Sequence, residues 1–199
     1  MTPCLHPDGM MRDEAFAATA ASIAAVGGRR AAGGMTRDAF LARFGGVFEN
    51  RPDLAEAVWA RGPDCGSAEA LHAAFAAVLQ GLRGTALTDF LNGHPDLAGR
   101  LLEAGAVTED SAREQGSAGL DALDAAARAR FLALNEAYRA RFGMPFIMAV
   151  RDRSAAEILA GFAARLGHTP EQERAEAVRQ IGRILLLRLH DRFGTAAPA

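Results

Sequence analysis

Thr169-Pro170-Glu171-Gln172, leading through Ile181-Gly182-Arg183-Ile184-Leu185-Leu186-Leu187-Arg188 to Phe193, is the stretch that decides the fold class. Thr169 with Gln172 three positions on makes a capping box, and Pro170 suits the first helical position, where no N–H is required. Apolar residues then recur at helical spacing, which predicts one long helix ending at about Phe193. At about 100° per residue, Ile184, Leu185 and Arg188 fall within roughly 60° of Ile181. An arginine therefore stands in the middle of the apolar face. Charged residues are almost never fully buried unless paired. Either Arg188 lies at the domain edge and snorkels to water, or it is buried and wants an anion, Glu114 or a ligand carboxylate.

The same signals organise the rest of the chain. Ser154 with Glu157 is a second capping box, and Gly167 is expected to close the helix it opens. Asp124 to Phe142 reads as a long helix with Phe131, Leu134 and Tyr138 on one face, ended by Gly143 and Pro145. Phe146 to Val150 is short, apolar and bounded by turn signals, so an extended segment is expected there. Ser111 to Leu120 reads as a short helix. Ser67 suits the cap of a helix striped by Leu71, Phe75, Val78, Leu79 and Leu82. Another helix follows Pro52 and carries Trp59, and Thr36 caps Arg37 to Phe44. The apolar run Leu87 to Leu91 leads into Gly93-His94-Pro95, with Leu97 to Ala104 beyond. The expectation is an all-α fold, a single compact domain of about eight helices over residues 36–193 with one short extended segment. Residues 1–35 read as a tail with room for a short helix around Glu14 to Val26, and residues 194–199 as a second tail.

Bulk composition narrows the function classes. A chain of 199 residues suits one domain with a sizeable core. Val, Ile, Thr and Tyr are sparse beside Ala, which favours helices. A net charge of −2 gives no basic field for nucleic acid. All 22 basic residues are Arg, which with the abundant Ala and Gly reads as codon bias. Cys4 and Cys65 are isolated thiols, so neither a disulfide framework nor a metal pair is implied, and a reducing, cytoplasmic setting is expected. No apolar run approaches the roughly 18 residues of a membrane span, and Met1 to Gly34 lacks the order of a secretory signal. No membrane partner is expected. Neither a metal motif nor a nucleotide loop nor a nucleophile elbow is present, so no cofactor is expected.

Three places can carry chemistry. His94, in Gly93-His94-Pro95-Asp96-Leu97-Ala98-Gly99, is restricted by the proline after it, and imidazole is the natural proton carrier near neutrality. The same residues also suit a plain turn that opens a helix. Ser111-Ala112-Arg113-Glu114-Gln115 contains an S-x-x-E capping box, yet a helix N-terminus also welcomes a polar or anionic ligand, and Glu114 can accept ligand N–H groups. Phe146 to Val150 suits a core strand, and its main chain can also pair with a flat, amide-rich ligand. His6, His72, His168 and His190 are solitary in sequence.

At these residues the chain resembles the OHCU decarboxylases, which act on 2-oxo-4-hydroxy-4-carboxy-5-ureidoimidazoline in urate breakdown. The resemblance rests on His94-Pro95-Asp96-Leu97-Ala98-Gly99, on Ser111-x-x-Glu114-Gln115-x-x-Ala118-Gly119-Leu120, on Asn135-x-x-Tyr138-x-x-x-Phe142-Gly143-Met144-Pro145-Phe146-Ile147, and on Arg165-Leu166…Glu173…Ile184-x-x-x-Arg188-Leu189. Weaker similarity reaches Phe44-Gly45-Gly46-Val47-Phe48-Glu49. The resemblance implies an all-helical, cofactor-free carboxy-lyase, commonly a homodimer, that releases (S)-allantoin and CO2. It places the catalytic histidine on His94 and a motif arginine on Arg188, and beside His94 both Glu114 and Arg188 are expected to act in catalysis. Substrate binding falls on Pro95, on Ser111, Ala112, Arg113, Glu114 and Gln115, and on Phe146, Ile147, Met148, Ala149 and Val150. Met144 stands where the family usually has Phe, and Arg61-Gly62-Pro63 where it has Arg-Pro-Phe. Two alternatives stay open: a non-catalytic helical module that grips a partner protein, and a lyase of the same architecture for another ureido acid.

Overall fold

The computed structural model describes residues 34–97, 110 and 123–195. Among the described residues the chain forms seven helices and no strand. They are α1 (Arg37–Phe44), α2 (Pro52–Trp59), α3 (Ala68–Gly81), α4 (Gly84–Asn92), α5 (Ala125–Phe142), α6 (Ala155–Arg165) and α7 (Pro170–Phe193). The fold is all-α, as expected. The helices expected around Glu14 to Val26 and over Ser111 to Leu120, and most of Leu97 to Ala104, lie outside the described residues.

The helix starts follow from side chains that replace missing main-chain acceptors. Thr36, Ser67 and Asp124 accept from the N–H groups of Ala39, Ala70 and Ala127. Both capping boxes form: Ser154 with Glu157, and Thr169 with Gln172. The Glu157 carboxyl is held below its usual range by the Ser154 N–H and hydroxyl it accepts from. Gly143 ends α5 at φ 67°, a left-handed conformation that glycine adopts without a Cβ clash. Gly167 does not play that part for α6. The chain leaves through Leu166 at φ −61°, and the Gly167 N–H bonds to the Ala164 carbonyl at 3.1 Å in a tightened last turn.

The 24 residues of α7 give a rod about 36 Å long, and it packs most extensively against α3. Phe40, Phe44, Phe48, Trp59, Phe75 and Phe90 fill one side of the core, where Phe48 stacks on Phe75 at 5.0 Å between ring centres. Phe131, Tyr138, Phe146 and Phe162 fill the other side. Phe162 stacks on Phe146 at 3.6 Å and meets Phe131 and Tyr138 edge-on. The expected stripe on α3 is buried at Leu71, Phe75, Val78 and Leu79, with Leu82 packed at its margin. Among the described residues no helix is long and apolar enough to cross a membrane. Because Phe162 is fully buried, Phe162→Ala should lower unfolding free energy by about 3–5 kcal/mol in a urea titration. A loss below about 1 kcal/mol would mean that this half of the core is loosely packed.

Candidate active site

The site is built where three segments meet beside α7. The first is the end of α4. The backbone N–H of His94 bonds to the Leu91 carbonyl at 3.2 Å, and its Nδ1 lies 3.0 Å from the Phe90 carbonyl oxygen. A carbonyl only accepts, so Nδ1 carries the hydrogen and Nε2 becomes the nitrogen that takes or gives a proton. The ring also meets Phe90 edge-on at 4.9 Å. Two residues on, both Asp96 oxygens accept from Arg139 Nε of α5, at 2.8 and 2.9 Å. The segment carrying His94 and Pro95 is thus tied down from both ends.

The second segment follows α5. Phe146 to Val150 runs as neither helix nor paired strand, and Phe146, Ile147, Ala149 and Val150 are buried. Polar side chains satisfy its main chain: Arg165 Nη1 donates to the Ile147 carbonyl at 2.7 Å, Gln180 Oε1 accepts the Ala149 N–H at 2.9 Å, and Arg153 Nε donates to the Ala149 carbonyl. Arg165 is itself held by Glu173, its Nε 2.8 Å from Oε1. Tyr138 and His168 also bond to Glu173, which is fully buried. Burial, and then the bond to Glu173, push the Tyr138 phenol above its ordinary range, so it stays a protonated donor. His168, solitary in sequence, is paired in space.

The third segment is the turn between α1 and α2. Val47 and Phe48 are buried, and Glu49 follows at φ 60°. Arg188 of α7 comes to this turn: Nη1 donates to the Val47 carbonyl and Nη2 to Glu49 Oε2, each at 3.3 Å. Both side chains are buried, 3% exposed for Arg188 and 5% for Glu49. The guanidinium does not snorkel. It is buried and paired with an anion, as a charge on an apolar face must be.

Between the segments lies a cleft of about 400 Å³, mouth included, lined by residues from all three and by Ile184 and Arg188 of α7. His94, Pro95, Phe146, Ile147, Met148, Val150 and Arg188, all named as candidate site residues, border it. Ala149 does not border it, and its N–H bonds to Gln180. Ser111, Ala112, Arg113, Glu114 and Gln115 lie outside the described residues. Glu49, which the sequence reading gave no role, is a wall of the cleft. Met144 is buried in the core and does not border the cleft, so this departure from the family touches packing. Gly62 sits at φ 65°, a value proline cannot take, so the turn after α2 differs locally from one built on Arg-Pro-Phe. Among the described residues no three His, Cys, Asp or Glu side chains gather as metal ligands.

Residues 34–190 match the sequence model of the OHCU decarboxylases. The chain belongs to the OHCU decarboxylase family. A 2-oxo-4-hydroxy-4-carboxy-5-ureidoimidazoline decarboxylase from Amia calva is 40% identical over 157 residues, 79% of this chain and 89% of that protein. The protein of the same name from Mus musculus is 41% identical over 155 residues, covering 78% of this chain and 86% of its own. Among solved structures, an (S)-allantoin synthase superposes with a TM-score of 0.62 at 28% identity, over 79% of this chain and 51% of that one.

The Arg165–Glu173 pair makes a stability prediction. Arg165→Met strands a carboxylate in the core, so it should cost about 3–5 kcal/mol of unfolding free energy. Chemical denaturation checks this, and a variant as stable as the parent would show that the Arg165–Glu173 pair does not hold this part of the core.

Proposed function

We propose that this OHCU decarboxylase family member converts 2-oxo-4-hydroxy-4-carboxy-5-ureidoimidazoline to (S)-allantoin and CO2 in urate breakdown. The observation that carries the proposal is the meeting of His94 and Arg188 in one cleft. A partner-gripping helical module needs exposed apolar faces and gives no reason for these two groups to share a cavity.

The substrate dictates the tasks. The carbon–carboxylate bond breaks, CO2 leaves, and the electron pair passes into the adjoining unsaturated ring, whose nitrogen takes up a proton. The 4-hydroxyl then gives up its proton to become the carbonyl, while the ring carbon bearing the ureido group receives one on a single face. Nothing is oxidised or reduced overall, and the ring is its own electron sink. What remains for the protein is to orient the carboxylate, exclude water and move protons with one handedness. His94, with its tautomer set by the Phe90 carbonyl, moves the proton through Nε2. Arg188 receives the carboxylate end of the substrate, and Pro95 packs against the ring. Within Phe146 to Val150, main-chain groups other than those held by Arg165, Gln180 and Arg153 pair with ring and ureido amides, and Ser111 to Gln115, with Glu114 as acceptor, complete the binding set. No cofactor is assigned to the reaction.

Residues 36–193 form the catalytic unit in this proposal, with tails 1–35 and 194–199. The family resemblance supports a homodimer, and the free, half-buried Cys65 suits a reducing cytoplasm. The partners are a small polar acid and a second copy of the chain, with neither nucleic acid nor membrane.

Because the substrate also decays on its own to racemic allantoin, the test follows product handedness by circular dichroism during urate oxidation. The parent protein should give a growing (S)-allantoin signal. His94→Ala should slow it about 10²–10⁴-fold with the fold intact. A racemic product from the parent, or normal turnover by His94→Ala, would overturn the assignment. Product analysis with other ureido acids distinguishes a related lyase.

A further inference from the structure

We infer that Glu49 is a positioning residue for the reaction proposed above, holding the Arg188 guanidinium in the cleft and offsetting its charge. The inference rests on that reaction for its kinetic part only.

Among the described residues there are two buried Arg–Glu pairs, and they differ in what they face. Arg165 and Glu173 are enclosed with Tyr138 and His168 and do not border the cleft. Arg188 and Glu49 both do. The turn that carries Glu49 is wound to deliver it. The Val47 N–H bonds to the Phe44 carbonyl at 3.1 Å and the Glu49 N–H to the Gly46 carbonyl at 2.9 Å, while buried Val47 and Phe48 anchor the turn to the core. Glu49 then takes φ 60°, a conformation that residues other than glycine seldom adopt and that clusters at functional sites. Glycine or asparagine would ease that backbone, but only a longer acidic side chain reaches the guanidinium of α7. One turn therefore grips Arg188 at two points, the Val47 carbonyl and the Glu49 carboxylate. Two contacts, with the side chain's own attachment to α7 as a third, fix the plane of a guanidinium as well as its place.

Two consequences follow, and a merely structural role for Glu49 produces neither. Loosening Arg188 misaligns the carboxylate it orients, which lowers kcat. Removing one negative charge from the cleft wall strengthens its hold on anions, so KM for an anionic substrate does not rise.

The experiment compares parent, Glu49→Gln, Arg188→Lys and the double variant, each first checked for native circular dichroism and melting. Glu49→Asn, in which asparagine tolerates the left-handed backbone, serves if Glu49→Gln does not fold. Glu49→Gln should lose about 10- to 100-fold in kcat with KM unchanged or lower. The double variant should lose no more than Arg188→Lys alone, because Glu49 acts through Arg188. Calorimetric titration with inorganic phosphate, which needs no turnover, should show affinity rising about tenfold in Glu49→Gln. A kcat within about twofold of the parent, losses that add in the double variant, or unchanged phosphate affinity would overturn the inference. Racemic product from the parent would instead sink the reaction, and the phosphate titration would still judge Glu49.

Discussion

A guanidinium cannot be left bare among aliphatic side chains, and the placement of Arg188 on the apolar face of α7 makes that rule a constraint on the whole chain. Its partners come from the turn after α1, Glu49 lying 139 residues away in sequence. Meeting them requires α1 to lie against α7, which it does, with Phe44 stacked on Phe193 at 5.6 Å. Once that turn is seated, Glu49 becomes one wall of the cleft, and His94 at the end of α4 becomes another. The ion pair therefore decides where the cavity opens and which charges face it.

Much of the fold was legible because it is encoded locally. A hydroxyl three residues ahead of an orphan N–H is visible in a string of letters, and Thr36, Ser67, Ser154 and Thr169 all act as such caps. Gly143 was readable for the same reason, and Gly167 was misjudged because a glycine after a helix is permitted, but not compelled, to turn left-handed. The oddity of Arg188 could be seen from helical spacing alone. Its partner could not, since Glu49 looks like any loop acid until a positive φ and a contact across the domain single it out. The run Phe44-Gly45-Gly46-Val47-Phe48-Glu49 carried the only advance signal, as a weak family likeness without a role attached.

The segment Phe146 to Val150 shows the same division. Its apolar character predicted burial, and four of its five residues are buried. That its main chain would be held by Arg165, Gln180 and Arg153 was invisible, because those side chains lie on the surrounding helices and beyond its own turn. Tethering matters for the chemistry. The decarboxylation proposed above depends on orientation and dryness, so the walls must keep their shape. The fully buried Glu173, gathering Arg165, Tyr138 and His168, serves that rigidity from behind the wall.

The central claim is that a single cleft beside α7 receives the ureido-imidazoline acid. A crystal structure of the full chain soaked with (S)-allantoin tests it most directly. The account places the ligand between His94 and Arg188, within hydrogen-bonding reach of both and against the Phe146 to Val150 main chain. Ligand density elsewhere on the molecule, with this cleft left to solvent, would contradict it.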